Sequence, residues 1–69
     1  MVERAILETV AQEPDLVRDT AARRPKAWGA LAAQGVLTFR EIAKRVPTDS
    51  ERRAIWSGLW RAAEERDAR

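Results

Sequence analysis

Cysteine, histidine, tyrosine and asparagine are all missing from this 69-residue chain. Without cysteine no disulfide can form, and without cysteine or histidine the usual structural zinc site has no ligands. A chain this short buries only about 60% of its unfolded surface, so its stability rests on packed helices or on a partner chain. The absence of cysteine also fits a cytoplasmic protein. Long apolar runs are absent too. The longest charge-free stretch, Ala27 to Phe39, has 13 residues, against about 20 for a membrane span. Glu3, Arg4 and Glu8 interrupt any apolar leader segment. The expectation is a soluble, cytoplasmic protein with no membrane partner.

The missing histidine also argues against an enzyme. General acid–base catalysis uses a histidine or a carboxylate tuned in a pocket, and so small a chain has little room for a deep cleft. Ser50 and Ser57 have no histidine base, and Lys26 and Lys44 read as solvated lysines. No HExxH, CxxC or EF-hand pattern is present, so no metal or other cofactor is expected. Glu64, Glu65 and Asp67 are interleaved with Arg61, Arg66 and Arg69, which reads as a salt-bridged helix surface. The three glycines, at positions 29, 35 and 58, are too scattered for a phosphate-cradling loop.

What is present is charge and helical periodicity. Residues 1–22 hold five acids and two bases, net −3; residues 23–46 hold six bases and one acid, net +5; residues 47–69 hold five of each. The basic middle is the first pointer to an anionic partner. Val2, Ile6 and Val10 form one stripe with Leu7 beside it. Pro14 suits the first turn of a second helix, whose inner face is Leu16, Val17, Thr20 and Ala21. Pro25 marks a third start, with Trp28, Leu31 and Ala32 inward and Gly35 as the residue that ends the helix. Thr38-Phe-Arg-Glu41 then reads as a capping box opening a short helix with Phe39, Ile42, Ala43 and Val46 on one side. A second box, Thr48-Asp-Ser-Glu51, opens the longest helix, with Ile55, Trp56, Leu59, Trp60, Ala62 and Ala63 as its apolar face and a polar tail, Glu64–Arg69, that frays. The expected fold is a single all-α domain, a small bundle of four to five helices.

The order across residues 38–60 resembles a helix-turn-helix, in which the second helix enters the major groove with its first turn. In that arrangement Ala43 lets the two helices approach, and Ile42, Val46, Ile55 and Leu59 hold the crossing. Thr38-Phe39-x-x-Ile42-Ala43, followed after nine intervening residues by Arg53-Ala54-Ile55, is similar to the DNA-binding segment of the alkylguanine-DNA alkyltransferases and alkyltransferase-like proteins. Those read Thr-Tyr-x-x-Ile-Ala and then Arg-Ala-Val at the same spacing. The resemblance implies that Phe39 helps to rotate a nucleotide and that Arg53 takes its place in the base stack. The family's Pro-Cys-His-Arg motif is absent, which excludes alkyl transfer.

Two functions follow as expectations. The first is a small, dimeric, regulatory module that binds duplex DNA through Arg40, Lys44, Arg45, Ser50, Arg52 and Arg53. The second is a helical interaction module in which Trp56 and Trp60 form a stripe for a second copy or a larger protein, with Ser57 and Gly58 as a notch for an approaching helix.

Overall fold

A computed structural model describes residues 1–67. The fold is all-α, with four helices: α1 (Val2–Gln12), α2 (Pro14–Ala21), α3 (Ala27–Ala43) and α4 (Asp49–Asp67). The helices α1 and α2 each pack against both α3 and α4, and α3 and α4 pack against each other. No helix among the described residues is long and apolar enough to cross a membrane. Arg69, and the side chain of Asp67, lie outside the described residues, and so does the end of the expected fraying tail.

The α1–α2 corner turns at Glu13, and Pro14 occupies the first helical position of α2, where a missing N–H loses nothing. The inner face of α2 is as expected: Val17 and Thr20 are buried, and Leu16 and Ala21 are half-buried. The α1 face is shifted. Ala5 and Thr9 are its fully buried residues, Val2, Ile6 and Val10 flank them, and Leu7 is 70% exposed. Small side chains stand where α1 approaches its neighbours most closely. The Thr9 hydroxyl donates to the Ala5 carbonyl at 2.7 Å, so its burial leaves no orphan.

The middle of the chain departs most from expectation. The helix α3 runs unbroken for 17 residues, where two shorter helices were expected. Gly35 does not end a helix. It is buried inside α3, where a Cβ would lie 2.7 Å from Leu59 Cδ1 and 2.9 Å from Ile55 Cγ2. Glycine is needed at this position because α4 crosses there. The Thr38 box does not form either. Thr38 is buried, and its hydroxyl donates back one turn to the Gln34 carbonyl at 2.9 Å, a bond available only inside a continuing helix. The crossing is therefore held by Leu31, Gly35 and Phe39 against Ile55 and Leu59. Ala43 and Ile42 only flank it, and Val46 is 65% exposed.

The second box forms as read. The Thr48 N–H donates to Glu51 Oε1 at 2.9 Å, and the Glu51 N–H donates to Thr48 Oγ1 at 3.2 Å. Gly58 is a notch, but the chain fills it itself: a Cβ there would lie 2.3 Å from Ile6 Cδ1. The expected notch for an approaching helix is present, and the helix that occupies it is α1 of the same chain.

Candidate nucleic-acid interface

The corner between α3 and α4 gathers part of the basic segment. The helix α3 ends in a left-handed turn at Lys44 (φ 60°), whose N–H reaches the Arg40 carbonyl at 2.9 Å. Arg45 then reaches along the surface to α4. Its guanidinium donates to both Glu51 carboxylate oxygens, at 2.7 and 2.9 Å, and to the Val46 carbonyl at 3.2 Å, and lies 5.2 Å from the centre of the Phe39 ring. It pins the end of α3 to the start of α4. Glu51 is the shared acceptor of Arg45 and of the Thr48 N–H, and those bonds hold its carboxyl at about 2.

This fixes a pH dependence. The Glu51 carboxyl titrates lower in the folded chain than its ordinary 4.5, so acid protonates the unfolded chain first. Its contribution is complete above about 4.5 and is lost as pH falls towards about 2. In acid titrations followed by circular dichroism, Glu51→Gln should be less stable than the parent at neutral pH, and the gap should close between those limits. A gap independent of pH would contradict the assignment.

The remaining predicted contact residues are placed as follows. Arg40 and Lys44 are exposed, one turn apart, in an open groove of about 570 Å³ with Leu37, Glu41, Arg45 and Val46. Among the described residues neither makes an ion pair. Arg52 pairs with Asp49 and lies over the Trp56 ring at 5.6 Å, while Asp49 and Glu51 in the first turn offset its charge against the helix dipole. Arg53 is exposed, roughly 160° around α4 from the buried Ile55, and Ser50 is exposed nearby on the same helix. Arg45 and Arg52 therefore already have carboxylate partners, while Arg40, Lys44 and Arg53 face solvent. Phe39 is fully buried. The nucleotide-rotating role implied by the resemblance is not open to a side chain enclosed between α3 and α4.

The tryptophans divide. Trp56 is half-buried, and its indole N–H donates to the Ala32 carbonyl at 3.3 Å, joining α4 to α3. Trp60 is 47% exposed and meets Trp28 edge-on, with ring centres 5.3 Å apart. Beside Trp60 a cavity of about 30 Å³ is bounded by Thr20, Arg23 and Glu64. The buried Thr20 hydroxyl has no hydrogen-bond partner among the described residues.

Sequence reasoning missed the outer face of α3. Because α3 is continuous, Gly29, Ala30, Ala33, Leu37 and Arg40 stand exposed along one side of a single rod, with Lys26 and Lys44 at its ends. The charge-free run from Ala27 to Phe39 was the available signal, and the expected break at Gly35 concealed it. The chain matches no protein family, no curated protein and no solved structure.

Proposed function

We propose that the chain is a small, non-enzymatic module that binds duplex nucleic acid in the cytoplasm, a variant helix-turn-helix with a long first helix, acting as a dimer in the regulation of transcription or a related DNA transaction. The observation that supports this best is the pair Arg40 and Lys44. They are exposed and one turn apart, without ion pairs among the described residues, beside Arg45 and Arg52, which have their own carboxylates. Surface cations so placed suit phosphate oxygens, which dominate the affinity of such modules and make it salt-dependent. Arg53, exposed on α4, supplies a further cation.

A labelled random-sequence duplex should show increased anisotropy with the full chain at low salt, and the signal should fall steeply towards physiological salt. Arg40→Ala with Lys44→Ala should weaken binding about tenfold or more and flatten the salt slope by about two. Unchanged binding in the double variant would remove these residues from the interface, and absence of binding by the parent chain would overturn the reading.

A second reading, an interaction module for a second copy or a larger protein, is favoured by Trp60, because a half-exposed tryptophan suits a protein contact. On that reading Trp60→Ala leaves the helical spectrum unchanged and abolishes association seen by light scattering. Association that survives the substitution excludes it.

A further inference from the structure

We propose that the outer face of α3 is the surface that lies against the duplex, with Lys26 at one end and Arg40 and Lys44 at the other holding phosphates, and Ala30 and Ala33 between them allowing the helix to come close. This rests on the nucleic-acid reading and changes its docking: α3, not the first turn of α4, is the element that lies in the groove.

Spacing is the first support. Lys26, Ala30, Ala33, Leu37, Arg40 and Lys44 recur at three- and four-residue intervals, and all are exposed. Lys26 and Lys44 are separated by about five helical turns, so they flank the same side of α3 about 27 Å apart. Between Lys26 and Arg40 the exposed stripe carries no charge, whereas the solvent side of a helix ordinarily does. Gly29 belongs to the same stripe. A Cβ there would meet nothing within 4 Å, so no contact inside the molecule accounts for a glycine in the first turn of this helix.

Backbone conformation is the second support. Among the described residues, three have positive φ, Arg23 (59°), Lys26 (70°) and Lys44 (60°), and none of the glycines does. Glycine or asparagine is the usual occupant of such positions. For Arg23 and Lys44 a helix C-terminus offsets part of the strain, since cations are favoured there. Lys26 has no such offset. It stands before the first turn of α3, where the dipole disfavours a cation, and its side chain makes no capping bond. Among the described residues Lys26 makes neither a capping bond nor an ion pair, so its ammonium is available to a contact outside the chain.

Charge selects the occupant. A second copy laid with α3 on α3 would bring Lys26 against Lys26 in a parallel pairing, or against Arg40 and Lys44 in an antiparallel one, and with Glu41 as the single exposed acid among the described residues of α3, cations would outnumber it where the two ends meet. A duplex offers phosphates along both sides of a major groove about 12 Å wide, with base edges and thymine methyls between them for alanine side chains.

The full chain and two variant pairs test this by anisotropy with the labelled duplex, with thermal melts in parallel. Gly29→Gln with Ala33→Gln adds uncharged bulk to exposed positions. It should leave the melting temperature unchanged or higher and lower affinity at least tenfold. Lys26→Gly should raise the melting temperature by about 4 °C or more while reducing the salt slope by about one. Lys26→Gln, which removes the charge and keeps the strain, should reduce the slope equally without the thermal gain. If the parent binds, and loses binding with Arg40→Ala and Lys44→Ala, but the glutamine pair and both Lys26 variants bind as the parent does, this inference fails and the corner reading stands. If the parent does not bind, both fail. If poly-glutamate displaces the duplex at equal charge concentration, the surface is a general anion site and the assignment to a groove is overturned.

Discussion

Gly35→Leu should unfold the chain or bring it close to unfolding, with a loss of about 3 kcal/mol, the upper end of what overpacking a core costs. The position is buried at the α3–α4 crossing, and even a Cβ would press on Leu59 and Ile55, both fully buried and unable to withdraw into solvent. A domain of this length has about 3–10 kcal/mol in total, so the loss should be visible as a collapsed urea midpoint. Gly29 gives the internal control. It lies in the same helix with open space around it, and Gly29→Ala should raise stability by about 1 kcal/mol through helix propensity alone. Two glycines six residues apart should thus respond with opposite signs. If Gly35→Leu melted like the parent, the close crossing would be wrong.

Phe39→Ala should cost about 3–5 kcal/mol, the usual range for a buried aromatic truncated to alanine. Phe39 is the largest fully buried side chain, joins the core of Leu31, Ile55 and Leu59, and gives the Arg45 guanidinium a ring face to rest on. The loss should appear in chemical denaturation with or without nucleic acid. Were Phe39 instead a residue that works on a nucleotide, the substitution would weaken binding and leave the denaturation midpoint in place. The two outcomes separate a core role from the role implied by the alkyltransferase-like segment.

Both predictions come from the region where sequence and structure part. The helical class, the α1–α2 corner at Pro14 and the Thr48 box were legible because each depends on local chemistry. Proline at a first turn and reciprocal threonine–glutamate bonds need nothing from the rest of the chain. Gly35 and the Thr38 segment were misread because the same residues serve two purposes. Glycine ends helices, and it also lets helices cross; threonine three residues before glutamate caps a helix, and inside one it bonds back to the preceding turn. Which use applies is decided by α4, 20 residues or more away in sequence, through Ile55 and Leu59. The candidate site was half legible for the same reason. Arg40 and Lys44 share a face in either reading, and Arg52 pairs with Asp49 one turn away in its own helix, but Arg45 acquires Glu51 only once the corner has formed. Lys26 joins that face only if the helix is continuous.

The α3 docking surface and the close crossing share one structural premise: residues 27–43 form a single rod whose inner side meets α4 at Gly35 and whose outer side carries Lys26, Arg40 and Lys44 at its ends. Backbone resonance assignment, with amide exchange followed residue by residue from Gln34 to Phe39, tests it most directly. The account predicts helical Cα shifts without interruption and slow exchange at Gly35, Thr38 and Phe39, comparable with Leu31. Non-helical shifts at Gly35–Leu37 with fast exchange at Thr38 would show two helices, and the shared face would be lost.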